Sequence, residues 1–297
     1  RDWSVTGVQT CALPICASEG APVPLVHGRM RVGGHVIWAS QFQETSTRRG
    51  GGKGAPQPRT VEYGYSVSLA IALGDGEIAR VGRIWADGTE IARDDVTLHV
   101  YPGSETQLPD PQIEAVEGAG RVPAYRGTAY VVIEDLDLAP FGNRVPQFSF
   151  EVFRRAAVGD AVPDLADGVQ AVALIPGTGE FALATTPVHR NAGPGANVAV
   201  NVNTPSGLSD LATSLAMLRE ELPACGSVAL VVSWFGDDLR CGECRIRPKV
   251  ERADGEGQGM IWRVGGMTRA AAEVVAEVGG RPVYGGTPAD DAVLEAI

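Results

Sequence analysis

Residues 61–73 (VEYGYSVSLAIAL) set the strongest constraint on the fold. Val67, Leu69, Ile71 and Leu73 alternate with Ser66, Ser68, Ala70 and Ala72. A period of two is that of a β-strand with two different faces, and a helix would scatter these apolar residues around its axis. Such a strand needs partners on its edges and cover for its apolar face, so it predicts a sheet of several strands.

Other segments supply those partners. Residues 36–38 (VIW), 78–85, 128–134 (TAYVVIE) and 147–153 read as strands, and in the last of these Phe148, Phe150 and Val152 point the same way. Gly74-Asp75-Gly76-Glu77 reads as a hairpin turn because Asp-Gly accepts positive φ, and Asp87-Gly88 reads as another. The two turns predict a three-strand meander running from 61 to 91. A short polar helix is expected over 111–117. Residues 17–155 are therefore expected to form a β-rich domain, and 156–168 (AAVGDAVPDLADG) a linker.

Residues 169–297 read differently. A strand at 172–175 is followed by a helix at 211–222, capped by Ser209-Asp210 and ended by Pro223. Residues 227–235 (SVALVVSWF) form an unbroken apolar run, which predicts a strand buried on both faces. A second helix is expected over 268–278, ended by Gly279-Gly280, then a short strand at 282–284 and a third helix opening at Thr287 or Asp290. That alternation points to an α/β region. The fold class expected is thus an α+β multi-domain fragment, with a β-rich domain followed by the start of an α/β domain.

Composition excludes several functions. The 25 basic and 36 acidic residues leave a net charge of −11, and no concentrated basic stretch stands out to grip nucleic acid. No apolar run reaches the roughly 18 residues of a membrane-spanning helix. The 38 glycines and 20 prolines fit many turns between short strands. Residues 1–16 (RDWSVTGVQTCALPIC) share no pattern with residues 17–297 and read as translated sequencing-adapter DNA, which sets Cys11 and Cys16 aside. The chain does not begin with Met and stops where a helical pattern has just begun, so it is expected to be an internal fragment.

Candidate chemistry is sparse. Cys241 and Cys244 form a Cys-x-x-Cys pair with Cys225 upstream, one ligand short of a structural zinc site, so reduced thiols and no metal are expected. Lys53, in the glycine-rich stretch 50–54, lacks the Ser or Thr and the helix start that a phosphate loop needs. Trp234, Asp237 and Asp238 follow the apolar run at 227–235, where α/β folds place ligands. Paired carboxylates beside an aromatic platform suit glycan chemistry, which makes Asp237 and Asp238 candidate acids and all three candidate ligand-facing residues. Turn-forming aspartates paired with Arg240, Arg245 or Arg247 are the structural alternative. No Gly-x-Ser-x-Gly elbow is present, and no cofactor is implied.

Several phrases together resemble one family. They are 17–31 (ASEGAPVPLVHGRMR), 36–40 (VIWAS), 65–73 (YSVSLAIAL), 81–92 (VGRIWADGTEIA), 125–153 (YRGTAYVVIEDLDLAPFGNRVPQFSFEVF), 184–189 (ATTPVH), 231–240 (VVSWFGDDLR) and 281–288 (RPVYGGTP). The chain is similar to the large tail-tip or baseplate proteins of gene transfer agents and related siphophage tails, the host-specificity or megatron proteins with a glycoside-hydrolase-like TIM-barrel domain. The resemblance implies a tail-hub-like β domain that joins a threefold ring with other tail and baseplate proteins, assembled in the bacterial cytoplasm and carried at the virion tail tip. It implies a role in host recognition or envelope penetration, with a cell-surface glycan as partner. It also implies that residues 169–297 lead into the barrel, whose catalytic acids would lie beyond Ile297. A carbohydrate-active hydrolase with an accessory β domain is the alternative.

Overall fold

The computed structural model describes residues 22–49, 60–155, 164–175, 179–193 and 195–297. The adapter-like segment 1–16, most of the 48–58 loop with Lys53, and the greater part of the expected linker lie outside the described residues. The chain divides into two compact units, Arg1–Ala157 and Val158–Ile297.

Among the described residues the first unit contains nine strands and one α-helix: β1 (Gly28–Gly33), β2 (His35–Ala39), β3 (Gln43–Arg49), β4 (Thr60–Asp75), β5 (Arg80–Ala86), β6 (Thr89–Ile91), β7 (Thr97–Tyr101), α1 (Pro111–Glu117), β8 (Thr128–Asp137) and β9 (Phe148–Arg154). They form two antiparallel sheets, β1-β9-β5-β6 and β2-β4-β8-β7, with β3 also paired to β4. The sheets share one core. Val67, Leu69, Ile71 and Leu73 of β4 join Val131 and Ile133 of β8, and from the other sheet Ile84, Phe148, Phe150 and Val152. Burying a side chain such as Leu69 or Phe150 stabilises the fold by about 1.5–3 kcal/mol. The opposite face of β4 and β8 carries Ala70, Tyr130 and Val132, covered by Ile113 of α1 and by Val122. Asp110 caps α1, accepting a hydrogen bond from Ile113 N at 2.8 Å.

The expected meander does not form. β4 and β5 lie in different sheets. After Gly76 (φ +79°) the backbone bonds away from β4, with Gly76 N donating to Gly127 O and Ile78 N to Pro102 O. The apolar residues of β5 then face those of β4 across the core, which one shared sheet would forbid. Asp87-Gly88 does make a hairpin. It is a two-residue turn with φ of 49° and 83° between Ala86 and Thr89, as a type I′ turn requires.

The second unit is built from short pieces: α2 (Leu165–Gly168), β10 (Ala171–Leu174), β11 (His189–Gly193), β12 (Ala196–Ala199), α3 (Asp210–Glu221), β13 (Ser227–Leu230), β14 (Phe235–Gly236), β15 (Ile246–Arg247), β16 (Lys249–Val250), β17 (Arg263–Val264), β18 (Met267–Thr268), β19 (Glu273–Val274), β20 (Glu277–Val278), β21 (Arg281–Pro282) and α4 (Asp290–Ala296). β10 and β13 pair in parallel through the connection that contains α3. Ser209 starts α3, accepting from Ala212 N and donating to Thr185 O. The core gathers Phe181, Leu183, Val188, Leu211, Val250, Trp262 and Val264.

Two expectations fail here. Residues 268–278 are not a helix but a 3-10 turn between short strands. Gly265-Gly266 and Gly279-Gly280 all adopt positive φ and close two-residue hairpins, Val264 to Met267 and Val278 to Arg281. Extended neighbours then recruit the segment, since β19 pairs with β16 and Val275 N donates to Val250 O. Tertiary pairing overrides the helical propensity of the alanines. Residues 227–235 are likewise not one doubly buried strand. β13 spans four residues with an exposed and half-buried alternation, and Val231, Val232 and Trp234 stay exposed. Among the described residues β13 pairs only with β10, so neither its far edge nor both its faces are covered.

Candidate functional site

The loop from 234 to 247 brings the sequence candidates near one another in the chain but assigns them different work. Trp234 is 46% exposed and lines an open groove of about 320 Å³ with Val232, Val264, Pro288, Asp290, Val293 and Leu294. Neither Asp237 nor Asp238 lines this groove. Asp237 Oδ1 accepts from Arg245 N at 2.7 Å. Asp238 accepts from the backbone N, Nε and Nη2 of Arg240, at 2.9, 3.0 and 2.6 Å. The Arg240 guanidinium and backbone amide hold the Asp238 carboxyl below the usual carboxylate range. Both aspartates thus organise the turn that pairs β14 with β15.

Cys225, Cys241 and Cys244 are free thiols. Cys225 Sγ lies 3.4 Å from Ser227 O. Among the described residues no group of three or more His, Cys, Asp or Glu is placed to hold a metal ion. No helix among them is long and apolar enough to cross a membrane.

The most developed cluster of charge was not singled out from the sequence. It covers the outer face of the first unit's four-stranded sheet. Phe148, Phe150 and Val152 of β9 face the core, so Ser149, Glu151 and Phe153 must face outward. By register Arg31 of β1 flanks Glu151, Arg29 flanks Phe153, and Trp85 of β5 flanks Ser149. A β-bulge completes the arrangement. Val81 pairs with Val152 and Ile84 with Phe150, leaving Gly82 and Arg83 together opposite Glu151. The bulge turns Arg83 onto the outer face. It also leaves little room at 82: a Cβ there would sit 2.6 Å from Glu151 Oε2 and 2.9 Å from a Phe153 ring carbon, so a larger residue would have to displace the Glu151 carboxylate.

Glu151 anchors the cluster. It accepts from Arg29 Nε at 2.7 Å, from Arg83 Nη2 at 3.1 Å and from Arg83 N at 3.3 Å, with its own side chain 6% exposed. Burial pushes its carboxyl up, but the bonds from Arg83 and Arg29 outweigh burial and bring it down to about 2. The guanidinium groups are further ordered by aromatic rings. Arg31 lies 4.1 Å from the Trp85 centroid and Arg80 lies 3.6 Å from that of Phe153, while Arg83 and Arg29 stack on the same two rings at 5.1 Å. Cation–π contacts of this kind hold a flexible side chain in a fixed plane. Arg-x-Arg at 29–31 facing an outward Glu-x-Phe was the available sequence signal. The bulge that recruits Arg83 left none.

A second charged group lies inside the second unit. Glu180 and Arg269 are 1% and 2% exposed and bonded through both carboxylate oxygens. Glu180 Oε1 also accepts from Glu251 N, and Arg269 Nη1 donates to Arg252 O. Trp262 Nε1 donates to Thr287 O at 2.8 Å. The first set of bonds ties the segments of Glu180, Glu251-Arg252 and Arg269 together, and the Trp262 bond ties β17 to the start of α4.

The fold thus defines a β-sandwich unit with an arginine-rich outer face, and a second unit braced by a buried ion pair. No family model and no curated protein matches the chain. Among solved structures the chain is similar to one in the structure titled "Virion of native gene transfer agent (GTA) particle". The identity is 56%, over 55% of this chain and 34% of that chain, with a TM-score of 0.42. The chain therefore spans about a third of that chain's length.

Proposed function

We propose that the chain is a structural component of a gene transfer agent virion. The observation that carries this reading is the 56% identity to a chain of such a particle. The two-sheet first unit is in keeping with it, because its charge is built into a rigid sheet face suited to protein contacts.

Within that reading the finer assignment is a tail-tip or baseplate hub subunit that acts in host recognition or envelope penetration among other tail proteins, as a homotrimer. Residues 17–155 would serve as the hub-like domain. Residues 169–297 would lead into a TIM-barrel-like domain, which the parallel β10–β13 pair supports. The exposed Trp234 beside a largely apolar groove that also carries Asp290 is the position at which a cell-surface glycan would stack.

The test is to raise antibody against the chain and purify particles from a bacterium that produces them and carries this gene. Peptides of the chain in the particles, with immunogold at the tail end, are the expected result. Particles of normal composition that lack the chain would overturn the reading.

A further inference from the structure

We propose that Cys241 and Cys244 are a redox-active dithiol that closes to a disulfide by exchange with a small-molecule disulfide of the glutathione class. The proposal stands apart from the virion reading. It gives a chemistry to the loop that follows Trp234.

The loop between β14 and β15 holds the two thiols on one turn. Arg240 O accepts from Glu243 N and from Cys244 N, both at 2.9 Å, so residues 240–244 make a single helical turn. Cβ atoms three residues apart in such a turn lie about 5–6 Å from each other. A disulfide needs about 4 Å, which a slight tightening of the turn supplies. The turn is fixed from outside. Asp238 holds Arg240 at its start through the backbone amide and the guanidinium, and Asp237 Oδ1 holds Arg245 N just past its end. Beneath it β14 pairs with β15, Gly236 opposite Ile246. Gly236 makes room for the sulfur, since a Cβ there would sit 2.9 Å from Cys244 Sγ.

The surroundings decide which chemistry the pair suits. Two thiols are half the ligand set of a structural zinc site. Among the described residues no third His, Cys, Asp or Glu joins them in a group able to hold a metal ion. The thiols also differ in access, Cys241 being exposed and Cys244 half-buried. An accessible attacking thiol with a shielded resolving thiol beside it is what exchange requires. The Cys241 thiolate attacks one sulfur of the small disulfide. A mixed disulfide forms, the original S–S bond breaks, and one small thiolate leaves and takes up a proton. The Cys244 thiolate then attacks Cys241 Sγ, the mixed bond breaks, and the second small thiolate leaves and is protonated. The protein pair loses two electrons and two protons, and one small disulfide becomes two thiols.

A redox titration of the full chain tests this. The chain is equilibrated in buffers of graded ratio of reduced to oxidised glutathione, quenched with acid, alkylated and digested with trypsin. Cleavage after Arg240 and Arg245 releases both cysteines in one peptide, 241–245. With rising oxidised glutathione this peptide should pass from the doubly alkylated form to an unalkylated form two hydrogens lighter, the glutathione adduct never being the main species. The closure constant of the folded chain should exceed that of the same chain in urea by about tenfold, because the fold holds the turn in advance. Cys244→Ser should leave Cys241 as a lasting glutathione adduct. Circular dichroism checks folding, and Cys244→Ala replaces the serine variant should the latter misfold. A wild-type peptide that stays doubly alkylated at every ratio overturns the proposal. So does one that stops at the glutathione adduct, one whose cysteines pair with a different cysteine, or a closure constant no greater in the folded chain than in urea. Each of these results leaves the virion reading untouched, and particles that lack the chain leave the dithiol untouched.

Discussion

Glu180 and Arg269 meet inside the second unit although 89 residues separate them, and almost no water reaches either side chain. Two charges removed from solvent are tolerable only because each satisfies the other and the surrounding backbone. Arg190 adds a third charge at 3.6 Å from Glu180 Oε2, and Glu256 a fourth at 3.4 Å from Arg269 Nε.

Removing one partner strands the other. Glu180→Ala is expected to destabilise the second unit by about 3–5 kcal/mol, because Arg269 stays buried without its main counter-ion. The paired replacement Glu180→Leu with Arg269→Met is expected to recover most of that loss. Urea unfolding of the three proteins checks the claim, and a double variant no better than the single would refute it.

Glu151 gives the first unit a dependence on acid. Its carboxyl is lowered from 4.5 to about 2 in the fold, so the folded state favours the charged form. The resulting stabilisation, about 3 kcal/mol, is fully present above pH 4.5 and is lost as pH falls through the folded value. Wild type should therefore lose more stability between pH 5 and pH 2 than Glu151→Gln. Parallel acid titrations of the two would disprove the role.

Gly103 has no room for a side chain. Its φ is +88°, and a Cβ there would lie 2.8 Å from Ala129 N and 2.9 Å from Thr128 C, both backbone atoms of β8. Gly103→Ala is expected to cost about 2–4 kcal/mol through strain and overpacking. By contrast Gly88→Asn, in the open type I′ turn, should cost well under about 1 kcal/mol, since Asn accepts positive φ. Equal melting temperatures for the two variants would contradict this account.

Ser209 holds the start of α3 through two bonds, one to Ala212 N and one to Thr185 O. Ser209→Ala should lower stability by about 1–2 kcal/mol. Asp237→Asn should change it by less than about 0.5 kcal/mol, because the amide oxygen can still accept from Arg245 N on an exposed turn. Thermal unfolding of both variants decides the matter.

Periodicity made the sandwich's core legible in the sequence. β4 turns Val67, Leu69, Ile71 and Leu73 inward, and β9 does the same with Phe148, Phe150 and Val152. What periodicity could not convey was partnership. Asp75-Gly76 looks like a hairpin by composition, but its positive φ serves a passage between sheets that Gly127 and Pro102 stabilise from afar. The Ala-rich 268–278 segment reads as helix until the glycine pairs beside it are seen closing hairpins. The same gap hid the arginine face. Arg29 and Arg83 belong to one cluster only because a bulge at Gly82 and an antiparallel register bring β1, β9 and β5 together.

The pairing of β1 with β9 also governs when the first unit can fold. Arg29 lies opposite Phe153, so the earliest strand of the unit waits for its last. A ribosome must release residues through Arg154 before the four-stranded sheet can close, because β5 also reaches the sheet through β9. Contacts so distant along the chain slow folding. Until then the apolar sides of β4 and β5 have no finished partner layer, so the nascent chain is most open to aggregation just before its synthesis passes that point.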